Sequence, residues 1–501
     1  MSDTKKRIFL TGATGNMGSA GLRELLAKSD RFDVVVLALP TANDKKILAP
    51  YDGKIKIVWG DLTNYDNVLE GVNGADYVLH VGGMVSPKAD YFPQTTYRVN
   101  VTAAQNIVRA VLAQPLDRQP KVVYIGSVAQ LGARNEPVHW GRTGDPIQIS
   151  IYDHYAISKT VAERTFAESG IKKWVSLRQS GILYPGILKN YDPIMFHVPI
   201  RGVLEWATVE DSGRLLANIC DLDLPDTFWN RFYNIGSGPE YRLSNYEFEC
   251  LLLKAISCPP PEKIFNANWF VLRNFHGHWY EDSDVLENYL HFRANTPVKA
   301  YFEEMGKSVP WFYHLSKLCP PPILKLAMRP MAYKKAWGTQ DWIAKRDENR
   351  ISAYYGSYEK WAAIPNWKDW DVSHPSNQPV HLSHGYDEEK SLDKLDIEDM
   401  RQAAAFRGGQ CLSESMTPGD LRTPLEWSCY AGHHFKASPT LVLLGGHWCP
   451  DCLPMPWKYD EIARNNPFFA QVWYAAHDKD ENYIYDSHIF DGWENAPKAL
   501  P

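Results

Sequence analysis

Thr11-Gly12-Ala13-Thr14-Gly15-Asn16-Met17-Gly18 is the stretch whose reading decides the fold. It follows the strand-like run Arg7-Ile8-Phe9-Leu10 and precedes the helix-like Ala20-Gly21-Leu22-Arg23-Glu24-Leu25-Leu26. A glycine-rich turn between a first strand and a first helix suits a dinucleotide pyrophosphate. The glycines let the backbone turn and approach the phosphates, and the helix N-terminus favours their negative charge. The spacing is G-x-x-G-x-x-G rather than G-x-G-x-x-G, and a glycine turn alone also serves plain strand-to-helix packing.

The surroundings decide between these readings. Phe32-Asp33-Val34-Val35-Val36-Leu37, Lys54-Ile55-Lys56-Ile57-Val58-Trp59, Ala75-Asp76-Tyr77-Val78-Leu79-His80-Val81 and Lys121-Val122-Val123-Tyr124-Ile125 read as a second to a fifth buried strand. Thr95 to Ala113 carries helical spacing at Val99, Ala103, Ile107, Val108 and Val111. Strands alternating with helices predict an α/β fold with a doubly wound, Rossmann-like parallel sheet, which binds ligands at the carboxyl ends of its strands.

Composition bounds the rest. A chain of 501 residues implies two or three domains. Apolar content of 45% and charged content of 22% describe a soluble globular protein. A net charge of -6 argues against nucleic-acid binding by the whole surface. The 18 tryptophans and 27 tyrosines imply bulky core packing, or extended apolar or ring-bearing ligands. No signal-like leader precedes Ile8, and no run approaches the roughly 20 apolar residues of a membrane span. Eight cysteines in so long a chain do not form a disulfide scaffold, so a reducing cytoplasm is expected.

A second constellation bears on chemistry. Tyr155-Ala156-Ile157-Ser158-Lys159 is Y-x-x-x-K, and on a helix positions four apart share a face. An ammonium beside a phenol favours the phenolate and is expected to lower the Tyr155 pKa. Ser127, in Tyr124-Ile125-Gly126-Ser127-Val128-Ala129, falls at the carboxyl end of the fifth strand, where its hydroxyl reaches a substrate oxygen.

With these residues in place, about residues 6 to 300 resemble the extended short-chain dehydrogenase/reductase family. The resemblance implies a catalytic Ser127, Tyr155 and Lys159, with the tyrosine as acid/base on a carbinol or carbonyl oxygen. It implies cofactor contacts at Gly12, Thr14, Gly15, Asn16, Met17 and Gly18 in the phosphate turn. Asp61 and Leu62 correspond to the adenine pair, and His80 and Gly82 of His80-Val81-Gly82-Gly83 to the segment behind the nicotinamide ribose. Asn100 corresponds to the family's buried helix asparagine, and Ser180 lies in Arg178-Gln179-Ser180-Gly181-Ile182-Leu183-Tyr184-Pro185-Gly186, which resembles the stretch that closes over nicotinamide. Tyr233-Asn234-Ile235-Gly236-Ser237-Gly238 resembles a strand of the substrate region. Ser127 is followed by Val128-Ala129 instead of an Asp-Glu pair, which argues against dehydration, and Leu131 replaces the tyrosine common in sugar epimerases. The cofactor is NAD or NADP: Ala38, Leu39 and Pro40 after the second strand are neither acidic nor basic, and Lys45 and Lys46 are read as a solvated helix start ahead of a contact to a 2′-phosphate.

The dinucleotide-binding domain is placed at 1–240, with part of 178–220 joining a substrate lobe at 241–365. A connector spans 366–400 and a small zinc-ribbon-like domain 401–501. In the lobe, His276 and His278 are read as local or substrate hydrogen-bonding groups ahead of a metal role. Trp311-Phe312-Tyr313 and Pro322-Ile323-Leu324-Lys325-Leu326-Ala327-Met328 are expected to pack against the dehydrogenase domain, with a membrane-surface or apolar-ligand element as the alternative.

Cys429-Tyr430-Ala431-Gly432-His433 and Cys449-Pro450-Asp451-Cys452 supply C-x-x-x-H and C-x-x-C, four ligands suited to tetrahedral zinc. The stretch Trp427 to Cys452 resembles zinc-ribbon and treble-clef modules, in some of which a cysteine such as Cys411 precedes; His433 is favoured over Cys411 as fourth ligand because its spacing is local. A closed site of this kind is structural.

The leading functional expectation is an NAD(P)-dependent oxidoreductase acting on a secondary alcohol or ketone of a small-molecule, ring-bearing substrate. The alternatives are a sugar-nucleotide epimerase and a dinucleotide-sensing regulatory protein. Nucleic acid is disfavoured as a partner because basic residues near the cysteines are sparse. A homodimer through the helix bearing Tyr155 follows from the resemblance.

Overall fold

The computed structural model describes residues 5–453 and 457–485; the last part of the expected C-terminal domain lies outside the described residues. Seven strands form one parallel sheet: β1 (Lys6–Thr11), β2 (Phe32–Ala38), β3 (Lys56–Trp59), β4 (Tyr77–His80), β5 (Lys121–Ser127), β6 (Trp174–Gln179) and β7 (Arg231–Ile235). Their order is β7-β6-β5-β4-β1-β2-β3, so the chain winds outward in both directions from β1. This is the Rossmann-like doubly wound sheet expected from the sequence.

Side chains alternate across each strand. Ile8, Leu10, Val34 and Val36 face one layer, formed by α1 (Asn16–Ala27) and a later helix over Val209–Asp221. Phe9, Val35 and Val78 face the other, built by α2 (Tyr65–Val72), α3 (Pro93–Leu112) and α4 (His154–Ala167). The helix read from Thr95 to Ala113 is α3, begun two residues earlier by Pro93, whose missing N–H costs nothing in a first turn. α4 carries Tyr155. Almost every residue from His154 to Phe166 is buried, so it lacks the polar stripe of a surface helix.

The cover on α4 comes from the far end of the chain. Val161 and Ala162 share one apolar cluster with Trp427, Leu441, Val442 and Leu443. Arg164 donates to the Trp448 and Lys436 carbonyls, and the Glu168 carboxylate accepts from the Ser438 N–H and hydroxyl. Within this C-terminal part, Leu425–Ser428 pairs antiparallel with His434–Ala437 and with Gln410–Cys411. A helix at Ile397–Phe406 adds Met400, Ala403 and Ala404 to the same cluster.

The lobe departs from expectation in one place. The 3-10 helix Trp311–Leu318 contains no buried residue, and Pro321–Ala332 buries only Met331 and Ala332. Tyr313, Leu324 and Met328 pack inward, but against lobe clusters around Phe248 and Phe196, and the remaining large apolar side chains face out. The expected burial of this segment is only partial: Leu324, Met328 and Met331 pack with Phe196 and Ile200, and the outer side chains of both helices stay exposed.

Candidate functional site

The glycine turn is built as its sequence required. Gly12 has φ +74°, and a Cβ there would meet the Gly82 Cα at 2.7 Å. A Cβ on Gly18 would meet the Gly12 carbonyl oxygen at 2.1 Å. Both glycines therefore serve close backbone approach, between the turn and α1 and between β1 and the segment after β4. Gly15 N donates to the Gly12 carbonyl, 3.0 Å. No side chain caps α1 at Gly15, so its first N–H groups face outward beside Thr14 and Asn16, while Met17 is buried beneath. This cradle fits a pyrophosphate.

The next strand ends converge on it. Thr11 Oγ1 accepts from Gly82 N at 3.0 Å and lies 3.0 Å from His80 Nδ1. Burial, with the Lys159 charge, pushes His80 down to about 3, so the ring is neutral. Asp61 Oδ1 accepts from the Thr63 N–H and hydroxyl, both 2.8 Å, and the Leu62 carbonyl accepts from Asn106 Nδ2 at 3.0 Å. Asn100 braces the site from behind. Its Nδ2 donates to the Met84 carbonyl (3.0 Å) and Ser158 Oγ (2.9 Å), and its Oδ1 accepts from Met84 N (2.8 Å). Ser180 Oγ donates to the Glu205 carbonyl, tying the end of β6 to the lobe. Lys45 and Lys46 fall within the short helix Ala42–Leu48, and Lys45 lies over the Trp59 ring.

Ser127 ends β5, and its Oγ accepts from Ala129 N. Tyr155 opens α4, which is capped by Asp153 accepting from Ala156 N at 2.8 Å. Burial pushes the Tyr155 phenol up, and its hydrogen bond with Ser127 pulls it back. Lys159 Nζ donates to the Ile125 carbonyl at 2.5 Å and lies 4.7 Å from the centre of the Tyr124 ring. The ammonium was expected to bear directly on the phenol; here it turns to the strand carbonyl instead, and burial drives its pKa down to about 7.

Below this site Glu163, one turn past Lys159, binds Arg178 of β6 with both side chains fully buried. Ser176 Oγ donates to the same carboxylate at 2.6 Å, and His447 Nε2 lies 2.8 Å from it. The Arg178 guanidinium also donates to the Gly445 carbonyl. Reading the sequence for chemistry did not single out Glu163; a charged residue on the apolar run Val161-Ala162 was its only signal.

Two neighbouring cavities open toward the lobe. One is lined by Asp90, Asp153, Asp192, His197, His276 and Arg350, with His276 Nδ1 2.9 Å from Asp153 Oδ2. Burial beside Asp153 raises Asp90 to about 7. The other, about 200 Å³, is walled by side chains such as Met195, Leu204, Trp206, Phe248 and Leu252. Ile194, Phe275 and His276 line both. Arg134 and Glu249 are the buried charged side chains on the apolar cavity, and Arg134 Nη1 and Glu249 Oε2 have no protein partner. Neither residue stood out in the sequence, since both are isolated charges in unremarkable runs.

Cys429, His433, Cys449 and Cys452 come together with their ligand atoms within 4.8 Å of one another. Cys429 Sγ and Cys452 Sγ are 3.7 Å apart, and His433 Nδ1 is 3.5 Å from Cys449 Sγ and 3.4 Å from Cys452 Sγ. A tetrahedron of thiolates around zinc has edges of about 3.8 Å, so this donor set fits the ion. Cys411 is outside the cluster.

Comparison with known proteins adds a family to this geometry. Residues 8–178 match the NAD dependent epimerase/dehydratase family. That stretch, about a third of the chain and running from β1 to β6, is similar to that family. UDP-glucose 4-epimerase of Rickettsia bellii is 27% identical over 127 residues, covering 24% of this chain and 36% of that protein. The Rickettsia felis enzyme of the same name is 29% identical over 112 residues, covering 21% and 33%. The chain thus spans about a third of the length of the curated relatives it matches. Among solved structures, the dTDP-glucose 4,6-dehydratase DesIV of Streptomyces venezuelae matches with TM-score 0.48 and 19% identity, covering 61% of this chain and 96% of that one. The UDP-glucose 4-epimerase of Thermus thermophilus matches with TM-score 0.46 and 18% identity, covering 61% and 100%.

Proposed function

We propose that the chain is an NAD-dependent oxidoreductase that interconverts a secondary alcohol and a ketone, with Tyr155 as acid/base. The placement of Ser127 at the carboxyl end of β5 and Tyr155 at the start of α4, on the same ligand-binding edge as the glycine turn, carries this reading. Gly12, Gly15 and Gly18 would hold the pyrophosphate, Asp61 and Leu62 the adenine end, and the neutral His80 would keep the Thr11–Gly82 backbone in place behind the ribose. Held there, the cofactor would supply the hydride chemistry. Ser127 orients the substrate oxygen, and Tyr155 gives or takes its proton. Lys159 would hold the nicotinamide ribose and, once redirected from the Ile125 carbonyl, stabilise the phenolate. The family match supports NAD, and Ala38, Leu39 and Pro40 offer no guanidinium for a 2′-phosphate.

The substrate we propose is ring-bearing and largely apolar. The second cavity supports this: its walls are aliphatic and aromatic, and Arg134 is its one buried cation. Burial raises Glu249 to about 8, which keeps a neutral, proton-donating carboxyl there near pH 7. A diphosphate needs several charged donors, so this lining favours a ketone or hydroxyl group over a sugar nucleotide. The sugar-nucleotide epimerase remains the second reading, supported by the names of the curated relatives. A dinucleotide-sensing regulator is disfavoured by the retention of both Tyr155 and Lys159.

Cys429, His433, Cys449 and Cys452 would hold a structural zinc ion. A homodimer through α4 would compete with the C-terminal module for the same helix face, and we propose that the module takes the place of that partner.

Replacing Tyr155 with Phe tests the reading. Turnover of a ring-ketone panel with NADH should fall by about 10²–10⁴-fold while NAD binding persists. Undiminished turnover would remove the acid/base role from Tyr155. Conversion of a sugar nucleotide with no net change in nicotinamide absorbance would favour the epimerase.

A further inference from the structure

The segment between Glu304 and Asp341 contains no acidic residue, although the whole chain carries a net charge of -6. It holds Lys307, Lys317, Lys325, Arg329, Lys334 and Lys335. The same segment exposes several large apolar side chains. Trp311 is 74% exposed, Phe312 55%, Leu318 74%, Ile323 56% and Leu326 65%.

This exposure is built into the helix. On Pro321–Ala332, here α5, Leu324, Met328 and Met331 lie three or four residues apart and pack into the lobe cluster around Phe196 and Phe270. Ile323 and Leu326 lie on the next stripe, three apart, and point away from that cluster, with Arg329 stacked at 4.8 Å on the Tyr333 ring. The element is therefore apolar on its inner and its outer face, with cations between. The preceding turn is pinned from beneath in the same manner. The Ser316 hydroxyl donates to the Ile256 carbonyl, and Tyr313 packs with Phe248 and Leu252. Phe248, Leu252 and Met195, which support the two helices from below, also wall the apolar cavity. The Tyr191 hydroxyl, on the 187–195 segment that lines that cavity, donates to the Ala327 carbonyl of α5.

We propose that residues 311–333 dock this protein on an anionic lipid surface. Trp311, Phe312, Leu318, Ile323 and Leu326 enter the headgroup boundary, and Lys317, Lys325, Arg329 and Lys335 meet the lipid phosphates and carboxylates. Exposed Trp, Phe and Leu beside Lys and Arg are the composition of an interfacial element. Among the described residues no helix is long and apolar enough to cross a membrane, so the element lies on the surface and does not span it. A second copy of the chain fits less well, because a two-fold contact would set this cationic segment against itself. Because Met195, Phe248 and Leu252 belong both to the support of this element and to the cavity wall, docking would bring the apolar cavity near lipid, the phase in which a ring-bearing apolar substrate is concentrated.

The test is co-sedimentation of the full chain with phosphatidylcholine vesicles, with and without phosphatidylserine. Partition onto phosphatidylserine vesicles should exceed that onto pure phosphatidylcholine by about tenfold or more and weaken in high salt. Lys325→Glu with Arg329→Glu should lower it by a similar factor, and Leu318→Glu with Leu326→Glu should abolish it. These side chains are at the surface, and an unchanged thermal unfolding curve verifies that each variant folds. The proposal is overturned if the chain does not partition onto phosphatidylserine vesicles, or if neither double variant reduces partition. It is also overturned if the segment instead mediates self-association in solution that Leu318→Glu with Leu326→Glu removes. None of these readouts depends on turnover, so the oxidoreductase reading and the docking reading fail separately.

Discussion

Lys159 is the residue where environment changes chemistry most. It is buried, its ammonium is held by the Ile125 carbonyl, and burial lowers its pKa from 10.5 to about 7. Between those two values an unfolded chain still binds a proton that the folded chain has released. Stability therefore rises with pH across this window, and the contribution is lost as pH falls through about 7. Lys159→Met should remove that rise, which urea midpoints measured near neutrality and near pH 9 would reveal; parallel pH slopes for variant and parent would refute it. Glu249 runs the other way. Its raised pKa of about 8 gives a contribution that is lost as pH rises through that value, and Glu249→Gln should flatten it. At this scale the sequence was informative where spacing carries chemistry, as at Tyr155 and Lys159. It was silent on Arg134 and Glu249, because nothing local marks a charge whose importance comes from the apolar walls around it.

At the scale of the element, α4 explains how a catalytic helix can lack a polar face. Buried on α4 without partners from other elements, Glu163 would be an uncompensated charge. Here Arg178, Ser176 and His447 surround its carboxylate, and the field of Arg178 holds it well below the usual carboxylate range. Removing one member of such a pair leaves the other uncompensated. Glu163→Ala should cost about 3–5 kcal/mol in urea unfolding, far more than deletion of an exposed ion pair such as Lys307–Glu304. A loss below 1 kcal/mol would mean that solvent reaches Arg178. Helix α3 and strands β1 to β5 were legible from helical spacing and from short buried apolar runs, which report directly what the chain must cover; β6 and β7 were not read this way. The outer face of the 311–333 segment was not legible in the same way, because apolar periodicity says that a face is available and not whether anything covers it.

For the whole molecule, the C-terminal part behaves as a lid on α4 and not as a detached module. Leu441, Val442 and Leu443 pack on α4, and the Gly446 carbonyl accepts from Ile147 N. If Cys429, His433, Cys449 and Cys452 hold zinc, removing the ion should loosen this lid and the helix under it together. Chelation is expected to lower the unfolding temperature by about 5 °C or more and to reduce turnover in step, with zinc restoring both. Cys449→Ser should mimic the chelated state. An unfolding curve indifferent to chelator would argue that the four side chains hold no ion.

The sequence by itself determined the order of strands and helices, the glycine turn, the Y-x-x-x-K face and the cysteine and histidine spacing. Each of these is a relation among residues close in the chain, where backbone geometry fixes the outcome. Tertiary structure decided that Lys159 leans on a strand carbonyl, that Glu163 binds both β6 and residue 447, and that Arg134 and Glu249 share an apolar cavity. It also decided that Trp311 and Leu326 remain uncovered. Those outcomes depend on which distant surfaces meet, and burial and charge pairing exist only once they have met.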